Sequence, residues 1–222
     1  MAEGLSKKSL MLGNLSRIIL YGFFMVLLNQ LMMLDAGQEG QEIKFLESTF
    51  TEWSQQFILL FMTAIFAHCA YHFEKFRCLS IMLAGVSAAG LVREYNNFFN
   101  EQVFDGAWQS LALLVIIITT TLIWKSRRLF WEDLQNFQGT ASFGFLLSGF
   151  LTTFIFSRLF GRTAFWELVM EEQYFRSVKN AAEESIELLG YGLLLISAIE
   201  FYMLARSINS RLSTPVEPHD ND

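Results

Sequence analysis

Three carboxylates, Glu183, Glu184 and Glu187, stand at the head of an apolar run that continues to Arg206, EESIELLGYGLLLISAIEFYMLAR. An uncompensated charge is expensive where apolar surroundings begin, so these acids need a cation, a proton, a metal or a polar ligand. Two other stretches bring charged and amide groups to the ends of apolar runs. TEWSQQ supplies Glu52, Gln55 and Gln56, and REYNNFF supplies Arg93 and Glu94. Arg93 is the cation that the pattern offers these acids, and its planar fork suits a bidentate carboxylate. Arg93 with one or two of these acids can simply form a buried ion pair that fixes the packing of two helices, and the excess of acids over this single arginine is what points to a ligand. The candidate ligand-binding residues are therefore Glu52, Gln56, Arg93, Glu94, Glu183, Glu184 and Glu187, and no catalytic residue is singled out.

His68 and His72 in AHCAYH are four apart, share a helix face, and can approach one ion. Cys69 lies one position off that face. There is no HExxH, and the third histidine, His219, is in the polar tail, so a haem lacks a further ligand. Packing is the expected role of the pair, with a two-histidine metal site as the alternative, and no cofactor is expected. Walker, GxSxG, zinc-finger and dinucleotide patterns are absent from the sequence.

These residues need helices to position them. The chain of 222 residues is 53% hydrophobic with 23 Phe and 2 Pro, and its mean hydropathy is +0.35. That composition predicts an all-α polytopic membrane bundle. Six transmembrane helices are expected, at about 18–34, 56–73, 79–98, 107–124, 141–158 and 183–205. They form one membrane domain, 18–206, between a cytoplasmic N-terminal segment, 1–17, and a disordered cytoplasmic tail, 207–222. Lys7 and Lys8 precede the first run as in a signal peptide, but the run is long and no small-residue cleavage site follows, so a retained span is expected. With the N-terminus inside, Lys7, Lys8, Arg17, Lys75, Arg77, Lys125, Arg127, Arg128, Arg206 and Arg211 are inner. Lys44, Arg158, Arg162, Arg176 and Lys179 are outer. Ten against five predicts both termini in the cytoplasm.

Within span six, Glu183, Glu187, Gly190, Leu194 and Ser197 recur at helical spacing, so they share a stripe. Span three carries AGVSAAG, rich in small residues, as close-packed membrane helices are. The expected arrangement packs span three on span six, with Arg93 or Glu94 facing Glu183 or Glu187. Glu200 falls about 100° around from the stripe and is left out of the site. The connection 159–182 reads either as an amphipathic helix in the outer headgroup region or as a connector with interfacial aromatics. The first outer loop is acidic and is expected to carry a short helix ending at Trp53.

TEWSQ before a span, REYNNFF near the end of another, GAWQ at the next and EESIELLGY at the last together resemble uncharacterised bacterial multi-pass inner-membrane proteins. The resemblance implies a cytoplasmic-membrane protein whose marked residues are Glu52, Gln56, Arg93, Glu94, Glu184 and Glu187. It implies no activity. Three function classes stay open. The first is binding or transport of a small polar solute, a cation or a lipid headgroup. The second is an enzyme on a lipid-linked substrate, with a glutamate as base and Arg93 holding a phosphate or carboxylate. The third is a structural or accessory subunit. The bilayer is the expected partner, a homo- or hetero-oligomer is compatible with the pattern, and the formal charge of −6 argues against nucleic acid.

Overall fold

The computed structural model describes residues 2–37 and 49–212, with side chains from 13 to 37 and from 49 to 211. Among these residues every regular element is helical. The helices are α1 (Ala2–Ala36), α2 (Phe50–His72), α3 (Arg77–Glu94), α4 (Asn96–Gln102), α5 (Ala107–Trp124), α6 (Arg127–Gln138), α7 (Ala141–Phe150), α8 (Ser157–Phe160), α9 (Thr163–Met170) and α10 (Arg176–Leu212). A π-helical segment, Leu151–Phe156, joins α7 to α8. Among the described residues five helices, with α7, the π segment and α8 taken as one, are long and apolar enough to cross a membrane, and six if the bent pair α3–α4 counts as one span.

Several boundaries differ from expectation. The third span ends at Glu94 and the chain bends by 62° into α4. Asn96 and Asn97 follow the break, and asparagine competes with the helix by offering its own backbone-binding groups. The Asn100 side-chain oxygen then accepts the Gly106 N–H at 3.0 Å. Gly106 has φ +85°, a conformation that glycine adopts without strain, and α5 starts from it. In the 159–182 connection Thr163–Met170 forms a short α-helix of its own, and the last helix already begins at Arg176, seven residues before the expected start of span six. The last helix continues to Leu212, six residues into the predicted tail. His219 and residues 38–48 lie outside the described residues, and Trp53, expected to end a short separate helix of the first outer loop, instead falls within α2, which already begins at Phe50. α6 is the element least expected from the sequence, since its strongly polar run hides a buried edge of Asp133 and Phe137.

The chain divides into two compact units, residues 1–54 with 149–192 and residues 55–148 with 193–222. In the second, the small residues of α3 act as predicted for close packing, though on other helices. Gly85 meets Thr119 of α5 so tightly that a Cβ there would lie 2.1 Å from the hydroxyl oxygen, and Gly90 lies against Leu59 of α2. An aromatic core of Phe66, Phe76, Phe137 and Phe201 forms the centre of this unit. Phe201 meets Phe66, Phe76 and Phe137 with ring centroids 5.3–5.7 Å apart. Such tilted and edge-on contacts suit the ring quadrupole. In the first unit, Gly192 of α10 lies against Met25 and Leu28 of α1.

Candidate functional site

The acid stripe of α10 lies along α8 and the π segment. Glu183 and Glu187 are one turn apart, and Arg158 of α8 reaches both, one guanidinium nitrogen to each. The Glu183 contact is 3.0 Å. Lys179, a turn before Glu183, pairs with its other oxygen. The Ser157 hydroxyl lies 3.4 Å from Glu187 and donates to the Thr153 carbonyl. Glu187 is 6% exposed while Arg158 leaves half of its side chain open. A buried acid is thus covered by a half-open arginine. Glu184, on the next position of α10, is half-buried.

The local sequence explains how Arg158 gets there. LTTFIF is rich in β-branched residues, which weaken α-helix. The π segment places extra residue in the turn, and such turns recur at functional sites. One added residue rotates everything downstream by about 100° relative to an uninterrupted α-helix. Ser157 and Arg158 then face Glu187 together.

Two glycines allow the helices this close. A Cβ on Gly190 would lie 2.0 Å from Thr153 Oγ1 and 2.8 Å from its backbone nitrogen, and one on Gly161 would lie 2.4 Å from the Glu183 carboxyl carbon. Thr153 itself is 1% exposed. Its hydroxyl is the one buried side-chain polar group among the described residues that has no hydrogen-bond partner. Beyond Gly161, the Trp166 indole N–H donates to the Phe160 carbonyl at 2.8 Å, and Phe160, Phe165 and Trp166 pack with centroids 5.3–5.4 Å apart. These rings fold the start of the 159–182 connection back beside the acids.

Span three was the expected neighbour of this stripe, and the observed contacts are with span five. Gly190 meets Gly149 and Thr153, and lower on the same helix Ser197 exchanges hydrogen bonds with Ser142 at 2.8 Å each way. The stripe is the packing face that its spacing predicts, and Glu183 takes Arg158 and Lys179 as its cations. Arg158 and Lys179 were read from the sequence only as markers of the outer side. The four-residue spacing of Lys179 and Glu183 is that of a helical ion pair, which forms because α10 starts at Arg176, ahead of both. Nothing local announced Arg158.

The other candidates fall into separate arrangements. Arg93 pairs with its neighbour Glu94 at 2.7 Å, and the Gln56 amide donates to the Glu94 carbonyl at 3.5 Å. These three residues therefore gather where α2 passes the end of α3. Glu52 is in the first turn of α2, where Thr49 Oγ1 accepts its N–H at 3.2 Å. The Thr49-x-x-Glu52 spacing is that of a capping box. Asp35, which sequence reasoning missed, is buried and accepts the N–H groups of Phe50 and Thr51 at 2.8 Å and the Thr51 hydroxyl at 2.6 Å. It closes α1 onto the start of α2.

His68 and His72 lie ring against ring, tilted by 38° with centroids 4.3 Å apart, and His68 also meets Phe73 and Tyr202. Among the described residues no third His, Cys, Asp or Glu joins them. A second missed acid is Asp133 of α6. It accepts the N–H of Phe76, a residue in the left-handed region with φ 65°, at the start of α3. Burial pushes its carboxyl above the ordinary range, opposed by Lys75 and by the backbone N–H groups of Phe76, Leu79 and Cys78. In comparisons with known proteins, no family model, curated protein or solved structure matched the chain.

Proposed function

We propose that this is a six-span bacterial inner-membrane protein with both termini cytoplasmic. In this reading it binds a small zwitterionic ligand or lipid headgroup at the outer ends of spans five and six. The observation that carries the reading is the half-open Arg158 over the buried Glu187, beside a buried threonine hydroxyl with no partner. The charges of Arg158, Lys179, Glu183 and Glu187 balance. A ligand of one sign would leave a buried charge uncompensated, which is costly. A ligand with an ammonium and an anionic group satisfies both sides, the ammonium at the acids and the anion at Arg158 and Lys179. The rings of Phe160, Phe165 and Trp166 supply the faces that an ammonium favours. Localisation rests on the apolar helices, the inner excess of basic residues and the resemblance of the four short motifs. Binding is preferred to catalysis because the Ser157 hydroxyl beside Glu187 donates to the Thr153 carbonyl and Glu187 is itself paired with Arg158.

A second reading has its own support. Glu183 already holds two cations, so the cluster can serve only to pin α8 to α10 in a structural or accessory subunit. The purified protein in lipid nanodiscs separates the two. Phosphoethanolamine, glycine betaine, a monocation and inorganic phosphate are each titrated while thermal unfolding is followed. The binding reading expects a zwitterion to raise the midpoint, with the shift lost in Arg158→Gln. Thr153→Val keeps the side-chain shape and removes the hydroxyl, so it should weaken the shift without lowering the unliganded midpoint. No shift with any probe, or shifts unchanged in Arg158→Gln, leaves the structural reading in place.

A further inference from the structure

The junction of α5 and α6 holds a different concentration of charge. α5 ends at Trp124, and Lys125, Ser126, Arg127 and Arg128 follow directly. All three cations are exposed, and none makes an ion pair among the described residues. The Arg127 guanidinium lies 5.6 Å from the Trp124 ring centroid. This holds it beside the ring by cation–π attraction. Above them a groove of about 280 Å³ runs along Thr120, Thr121, Trp124 and Lys125. α6 starts at the same point, and Ser126 at its N-cap makes no side-chain capping bond. The first N–H groups of a helix have no intrahelical partners and carry partial positive charge, so they favour an anion. Trp124 and Trp131 are both more than 60% exposed, which suits rings at headgroup depth.

Each feature alone is ordinary. Together they place three cations with no ion pair among the described residues, a helix start without a side-chain cap, an exposed indole and a groove at one helix end. We propose that the α5–α6 junction is a binding site for an anionic phospholipid. Its phosphate sits among Lys125, Arg127, Arg128 and the first turn of α6, and an acyl chain lies along the groove of α5. The lipid rather than a free anion is the ligand because the groove runs from Lys125 past the Trp124 ring along α5 to Thr120, a flank that carries the exposed Ile116 and Ile117 one turn further on. Glu132, four residues after Arg128, makes no ion pair with it among the described residues, so the cation stays available. The site is independent of the α8–α10 cluster.

Native mass spectrometry of the detergent-solubilised protein tests this, with phosphatidylglycerol and phosphatidylcholine of equal chain length supplied in competition. The expected result is selective retention of phosphatidylglycerol. Retention should fall about fivefold for Lys125→Gln alone and on the order of 100-fold for the triple Lys125→Gln, Arg127→Gln, Arg128→Gln variant, since each surface cation contributes roughly 1 kcal/mol. The single variant keeps the test valid if the triple variant misfolds. Equal retention of the two lipids, or retention unaffected by Lys125→Gln, overturns the proposal. So does an equal loss in Arg206→Gln, Arg211→Gln, because attraction is then a matter of net charge. Displacement by inorganic phosphate at millimolar concentration with no lipid preference would mean that the junction takes phosphate alone, which also overturns it.

Discussion

Gly190→Ala is the sharpest probe of how α10 meets span five. The new Cβ would stand 2.0 Å from Thr153 Oγ1, 2.8 Å from Thr153 N and 3.1 Å from the Gly149 carbonyl oxygen, where ordinary contact begins near 3.4 Å. A rotamer change can relieve the first clash, and only helix separation can relieve the second. Overpacking costs about 1–3 kcal/mol, and the backbone contact places this case near the top of that range. At about 2–4 °C per kcal/mol for a chain of this size, about 3 kcal/mol lowers the midpoint by about 6–12 °C. Thr153→Ala removes the hydroxyl and so the closest clash. The same Gly190→Ala change in that background should therefore cost roughly half as much, a coupling of about 1.5 kcal/mol, within the range seen for contacting residues. Gly22 of α1 has nothing within 4 Å of its Cβ position, so Gly22→Ala is the control and should not destabilise. Thermal unfolding in detergent, followed by tryptophan fluorescence, reads all four variants. A Gly190→Ala midpoint within a degree or two of wild type would refute the packing. Strict additivity with Thr153→Ala would refute the role of the hydroxyl.

Two further predictions concern the acids that cap helices. Asp35→Ala leaves the Phe50 and Thr51 N–H groups at the start of α2 without their acceptor, and loss of such a cap costs about 1–2 kcal/mol. Asp35→Asn retains an acceptor and should cost less; denaturant midpoints order the three proteins, and Asn as damaging as Ala would contradict the cap. Asp133 is predicted to set a pH dependence. Its folded pKa is raised, so the folded state favours the protonated form, and its contribution to stability is greatest in acid and is lost as pH rises through the folded value. Wild type should therefore gain on Asp133→Asn as pH falls from 7 toward 4, read as the midpoint of wild type minus that of the variant; a wild type that loses ground to the variant on acidification would contradict the burial of this carboxyl.

Much of the local plan was legible. Hydropathy is a property of contiguous residues, so the apolar helices could be read without knowing their neighbours. The stripe of Glu183, Glu187, Gly190 and Ser197 is likewise a property of one helix. α6 escaped notice because its buried edge is narrow and one of its two buried residues is an aspartate, which reads as surface until its backbone donors are seen. Arg158 escaped for another reason. Its placement depends on a π turn, and no residue in LTTFIF states where one extra residue enters a helix.

The sequence by itself determined that the chain builds apolar helices, and that α10 carries acids and small residues on one face. Those follow from composition and from 3.6-residue periodicity, which act within a segment. Only the tertiary structure decided which helix covers that face, which cations meet Glu183 and Glu187, and that Thr153 is buried against Gly190 without a partner. Helix pairing is chosen by complementarity between surfaces far apart in the chain. Apolar side chains alone supply little preference between neighbours in lipid, so close glycine contacts and matched charges make the choice.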